Sequence, residues 1–273
     1  MMKVAAPNSR VYRIVDIIDG TRLRIYPPAN HDSMASYSIG QVSHFKKPIS
    51  NADFFFLDTR SHRMMHDVKQ PSKKGISMLG IAQKNWLKRE MESSQGDFFF
   101  VISSVNFTIP HVGTTGPVVA GKNKDDAWTV FLEEREELIR FWDSLGKPVF
   151  VLTGDLHNSL AIKVTNNVWE FASGGHNSTN HPLSSEGNRP TNGLFNSQGR
   201  KVEILWSSFM QSDTPNQLRN RPIYCVVQVN NVFNNPVQSD TDRWVAYKHP
   251  QIIFQYYDGL TADLLYAESI IAP

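Results

Sequence analysis

Three short apolar runs, each bounded by charge or proline, punctuate the chain: Phe54–Leu57 between Asp53 and Asp58, Phe98–Ile102 after Asp97, and Val149–Leu152 after Pro148. Runs this short with no polar alternation predict central strands covered on both faces. Two segments with helical spacing lie between them. In residues 78–93, Leu79, Ala82, Trp86, Leu87 and Met91 fall near one face, with Ser77 as N-cap. In residues 125–145, Asp125 or Asp126 caps a stripe of Trp128, Phe131, Leu132, Leu138, Phe141, Trp142 and Leu145; Gly146 ends it and Pro148 follows. The motif DFFF occurs at both 53 and 97, but nothing around it matches, so it is not an internal repeat.

The flanks read differently. Residues 10–26 predict a hairpin turning at Asp19-Gly20, and residues 27–51 are polar and irregular. A Gly/Pro/Thr/Lys loop fills 105–124. Downstream, 160–164 and 168–172 read as paired strands and 173–199 as a long polar loop. Strands are then expected over 201–206, 222–229, 252–257 and 264–269, with a polar stretch at 232–243. Alternating strand and helix followed by a mostly stranded tail predicts an α/β (α+β) layered sandwich. The expected organisation is an N-terminal hairpin and irregular lead-in over 1–52 and one domain over 53–273.

Composition narrows the function classes. The 28 basic against 26 acidic residues leave a net charge of +2, which gives no electrostatic case for nucleic acid or an anionic membrane. No stretch approaches the roughly 18 apolar residues that span a bilayer. The single cysteine, Cys225, excludes an internal disulfide, and its apolar neighbours Ile223, Tyr224, Val226 and Val227 make it a core thiol rather than a nucleophile.

Three polar segments could carry chemistry. The first is Thr153–Ser159, TGDLHNS, where a buried strand ends. Asp155 and His157 are two residues apart, so both can point to one side of an extended segment. They are either solvated loop residues or a carboxylate–imidazole pair suited to a metal. The second is Leu57–Arg63, LDTRSHR, also at a strand end. Arg60 and Arg63 either clamp an oxyanion or pair with Asp58 to fix the loop. The third is Ser173–Ser178, SGGHNS, with His181 nearby, where a Gly-Gly turn either presents His176 to a site or leaves it as a loop residue. His31, His44, His66, His111 and His249 show no ligand spacing. Phosphate-binding glycine loops, H-E-x-x-H, C-x-x-C and the G-x-S-x-G elbow are absent from the sequence.

In order, these segments resemble the C-terminal part of the PhoD-like alkaline phosphatases, in the calcineurin-like metallophosphatase superfamily. The resemblance rests on FFFLDTRSHR at 54–63, on Leu79, Gly80, Gln83, Trp86 and Leu87, and on FFFVISS at 98–104. It continues through Asp126, Trp128, Glu134 and Arg135, VLTGDLHNS at 151–159, and Glu170-Phe171-Ala172-Ser173. Position 62 is His where the family usually has Tyr. The family's upstream Gly-Asp and acidic-His-Glu motifs have no counterpart in the sequence.

The resemblance implies two β-sheets flanked by helices, and Asp155 and His157 as metal ligands, with calcium and iron as the ions. It implies hydrolysis of phosphate mono- or diesters, with Arg60 or Arg63 on a non-bridging oxygen and His176 as proton donor. The partner expected is a phosphate ester, with no nucleic acid and no membrane. Relatives of this kind are often exported. The doubled Met1-Met2 and the missing upstream motifs lead us to expect the C-terminal part of a longer enzyme. The alternative is an inactive truncated module of the same fold.

Overall fold

The computed structural model describes residues 12–32, 34, 43–64, 75–111, 127–176, 180–208, 221–230 and 249–273. The chain divides into two compact units, Met1–Val42 and Ser43–Pro273. In the first, β1 (Arg13–Ile17) pairs antiparallel with β2 (Leu23–Tyr26). Asp19 ties the connection together by accepting from the backbone and hydroxyl of Thr21 and from the Arg22 guanidinium. This is the hairpin that Asp19-Gly20 predicts.

The second unit is built on an eight-stranded mixed sheet. Its strands are β3 (Phe45–Ile49), β4 (Ala52–Phe56), β5 (Phe98–Ile102), β6 (Val149–Thr153), β7 (Leu160–Lys163), β8 (Val168–Ala172), β9 (Gly193–Ser197) and β10 (Arg200–Ser207). The spatial order is β3-β4-β5-β6-β8-β7-β10-β9, and β4, β5, β6 and β8 run parallel. Parallel neighbours need crossovers. The helix α1 (Gly80–Glu92) lies in the β4–β5 crossover and α2 (Leu132–Ser144) in the β5–β6 crossover. A separate three-stranded antiparallel sheet holds β11 (Ile223–Asn230), β12 (Gln251–Asp258) and β13 (Leu264–Ile271).

The continuous phenylalanine runs now have a cause. Alternate residues of β5 face opposite ways, and both sides of the sheet are covered. Phe55, Phe99, Val101, Val149 and Val151 pack with Leu87 and Met91 of α1 and with Leu138, Ile139 and Trp142 of α2. Phe98, Phe100, Phe150 and Phe171 pack with Ile252, Phe254 and Tyr256 of the three-stranded sheet. Phe254 stacks on Phe171 at 3.5 Å between ring centroids, and the buried Tyr256 hydroxyl donates to the carbonyls of Leu160 and Ala172. Burial of each such phenylalanine contributes about 2 kcal/mol. Cys225 is partly buried against this second core, and burial pushes its thiol up to about 11.

Three sequence readings are revised. The stretch 27–51 is not wholly irregular, because β3 pairs with β4; its FKKPI pattern lacks the apolar alternation of a strand, and it sits at the sheet edge. The loop 173–199 contains a 3-10 turn at Leu183–Glu186 and the strand β9, which gains its place by pairing with β10. The helix expected over 125–145 is a 3-10 turn at Trp128–Val130 followed by α2; Asp125 and Asp126, its expected caps, lie outside the described residues, as does the stretch 232–243. Both described helices pack in one core of the eight-stranded sheet and the three-stranded sheet packs in the other. No helix among the described residues is long and apolar enough to cross a membrane.

Candidate functional site

Because β4, β5, β6 and β8 are parallel, their carboxyl ends lie along one rim, the place where open α/β sheets gather ligands. The three segments singled out in the sequence all leave from this rim: Leu57–Arg63 follows β4, Gly154–Ser159 follows β6 and Ser173–His176 follows β8. The loop after β5, Ser103–His111, fills the remaining position.

The turn out of β6 is strained. Leu156 N–H donates to the Gly154 carbonyl at 2.9 Å, an i→i+2 bond that closes a γ-turn around Asp155. Asp155 holds φ at +69°, a region that non-glycine residues rarely occupy, and its side chain is exposed. Strain of this kind is retained where the surroundings over-determine it. Here Leu156 is buried in the helix-side core, and beyond it Ser159 exchanges hydrogen bonds with Ser208: Ser159 N–H donates to the Ser208 hydroxyl and Ser208 N–H to the Ser159 carbonyl.

His157 is half-buried beside this turn. Its ring stacks on His181 at 4.0 Å, and the His181 ring meets that of His111 at 4.7 Å. Neither His181 nor His111 has spacing that links it to His157. Their convergence comes from loops after three different strands and is invisible in the sequence. The loop carrying His111 is pinned by Glu170 of β8, a fully buried carboxylate. It accepts from the backbone of Phe107 and Thr108 and from the hydroxyls of Thr108 and Thr153. Asn158 is buried and donates to the His181 carbonyl and to Glu186. Glu186 in turn pairs with Arg189, both fully buried. Burial raises the Glu186 pKa above the ordinary carboxylate range, and Arg189 and Asn158 oppose that rise.

The loop after β4 is fixed by Asp58, but through the backbone and not through an arginine side chain. Asp58 does not pair with Arg60 or Arg63 through their guanidinium groups. Its Oδ1 accepts the backbone N–H of Arg60 at 2.9 Å and of Ser61 at 2.8 Å. Burial opposes ionisation of Asp58, but hydrogen bonds from Ser61, Ser43 and Arg60 outweigh it and hold the carboxyl at about 2. Arg60 is exposed and Arg63 partly so. Thr59 and Ser104 join the loops after β4 and β5 by a hydroxyl–hydroxyl bond of 2.5 Å. The residue that departs from the family pattern, His62, is exposed and lies edge-on to the buried His44 at 6.1 Å. His176 is exposed after the Gly-Gly turn, with Asn177 and Ser178 outside the described residues.

The remaining motif residues serve as framework. Glu134 accepts from Ser77, Met78 and Leu79 and so satisfies the start of α1, while the Ser77 hydroxyl accepts from Gly80 N–H. The buried Arg135 donates to the hydroxyl and carbonyl of Ser197 in β9. Trp128 donates its indole N–H to Ser103 on the rim.

A PhoD-like phosphatase family model matches residues 49–216, well over half of the chain. The chain belongs to the PhoD-like phosphatase family. The match covers β4 through β10 and all three rim segments. A solved structure titled "Structure of PhoD" is similar over 84% of this chain and 44% of its own, with 17% sequence identity and a TM-score of 0.44. The chain therefore spans less than half the length of that relative. No curated protein matches.

Family membership brings a metal into question. Asp155 and His157 offer one carboxylate oxygen donor and one imidazole nitrogen donor, a set that suits two ligand positions of a hard or borderline ion. Among the described residues no group of three or more His, Cys, Asp or Glu is placed to hold an ion.

Proposed function

We propose that this chain serves phosphatase-type hydrolysis of phosphate mono- or diesters at the rim formed by β4, β5, β6 and β8, with Asp155 and His157 as metal ligands. Calcium and iron are the ions the resemblance implies. The observation that carries the reading is the γ-turn at Asp155. A family motif residue is held at φ +69° and exposed, two positions from a half-buried histidine, where a parallel strand ends. A bound ion supplies neutralisation of the phosphoryl oxygens and a lowered pKa for an attacking water. In this proposal Arg60 and Arg63 donate charge-assisted hydrogen bonds to the non-bridging oxygens. His176 hands a proton to the departing oxygen. Thr59 and Ser104 hold the two neighbouring loops in register while they do so.

The test is hydrolysis of p-nitrophenyl phosphate and bis-p-nitrophenyl phosphate by the chelator-stripped protein, with calcium, iron or manganese restored. Turnover that needs a restored ion and is lost in Asp155→Asn and His157→Gln supports the reading. In the same assay Arg60→Ala should raise KM, and His176→Ala should lower kcat by about 10²-fold or more.

One observation favours a second reading, a phosphatase-fold binding module without catalysis: among the described residues the two donors are not joined by a third. That reading expects no turnover with any ion, and binding of a phosphate ester unaffected by Asp155→Asn.

A further inference from the structure

We infer that His181 is a positioning residue for His157, backing its imidazole so that the ring reaches the rim in one orientation. The inference rests on the proposed role of His157. A histidine on a strand-exit loop has two freely rotating side-chain bonds, and fixing them only when a ligand arrives costs binding free energy. Here the ring is fixed beforehand. The His157 and His181 ring centroids lie 4.0 Å apart, and the ring planes are inclined by only 23°.

Several separate devices bring His181 to that place. The His181 backbone N–H donates to the His157 carbonyl at 3.3 Å. The side chain of Asn158, the residue after His157, donates to the His181 carbonyl at 3.2 Å. Asn158 also donates to Glu186, which the buried Arg189 anchors, so both ends of the segment 181–186 are tied down. The Gly-Gly turn clears the space between them. A Cβ at Gly174 would stand 1.9 Å from the Leu156 carbonyl oxygen, and Gly175, at φ +79°, lets Asn180 approach to within 2.7 Å of where its Cβ would be. Gly174 thus makes room for the loop that carries His157, and Gly175 for the chain that delivers His181. His111 then touches the His181 ring at 4.7 Å, on a loop held by Glu170.

The contact between the two rings is face to face, and three variants separate the aromatic plane from its nitrogens. His181→Phe keeps the plane and removes the nitrogens; His181→Ala removes both; His181→Leu keeps bulk without an aromatic face and stands in if the alanine variant does not fold. Two measurements read the difference on the chelator-stripped protein. The first is the NMR position of the His157 ring protons, identified by their loss in His157→Gln. The second is the affinity for manganese ion by calorimetry.

His181→Ala and His181→Leu should move the His157 ring resonances toward those of free histidine and weaken manganese binding by about 10- to 100-fold. His181→Phe should leave the resonances displaced and recover most of the affinity. If no variant moves the His157 resonances, the backing does not exist and the inference is overturned. It is equally overturned if His181→Phe keeps the ring displacement yet binds manganese as poorly as His181→Ala, because His181 would then act through its nitrogens. Manganese binding that is absent, or unchanged in His157→Gln, would sink the metal role of His157, while the ring resonances would still decide whether His181 holds it.

Discussion

The side-chain amide of Gln83 reads both backbone groups of Asp58. Its oxygen accepts the Asp58 N–H at 2.7 Å and its nitrogen donates to the Asp58 carbonyl at 2.9 Å. Helix α1 thereby grips the point where the chain leaves β4 and turns toward Arg60. Gln83 is fully buried. Gln83→Leu should cost about 2–4 kcal/mol in urea unfolding, because two buried backbone groups lose their partner at about 1–3 kcal/mol each. A loss below about 0.5 kcal/mol would mean that the amide does not fix the loop.

Asp58 should confer acid sensitivity. Its folded carboxyl titrates at about 2, below the ordinary 3.8, so the unfolded chain takes up the proton first as pH falls. The stabilisation is complete above the ordinary value and is lost as pH falls through the folded one, between about pH 4 and pH 2. The amount is on the order of 2 kcal/mol. Thermal melts over that range should show a steeper decline for the native sequence than for Asp58→Asn.

The rim glycines should respond unequally. A Cβ on Gly154 meets only the Ser104 carbonyl oxygen at 3.8 Å, an ordinary contact, whereas one on Gly174 collides with the Leu156 carbonyl. Gly154→Ala should change stability by less than about 0.5 kcal/mol and Gly174→Ala by more than about 2 kcal/mol, measured by denaturant midpoint at constant m. Equal tolerance would contradict the close approach of the two loops.

The buried pair Glu186 and Arg189 should behave as a unit. Arg189→Met leaves a carboxylate stranded at zero exposure and should cost about 3–5 kcal/mol. Adding Glu186→Gln to it should recover part of that loss. A double-mutant cycle without coupling would show that the two do not interact.

Much of the fold was legible in the chain. The runs at Phe54, Phe98 and Val149 announced central strands because both faces of β4, β5 and β6 are covered, and burial leaves its mark on composition. The stripes through Trp86 and Trp142 announced helices for the same reason. Strand β3 escaped because an edge strand needs little apolar content. Strand β9 escaped because pairing with β10 holds it in place.

The sequence by itself determined the broad sheet-rich α/β class and where the central strands end, and it singled out Asp155 and His157 as candidates, because apolar periodicity and short motifs are local. It could not determine that His157, His181 and His111 meet, nor that Asp58 is held by Gln83, nor that Gly174 must admit Leu156. Those contacts join residues on different strand exits. They exist only because β4, β5, β6 and β8 run parallel and open their loops onto one rim, which the tertiary structure alone decided.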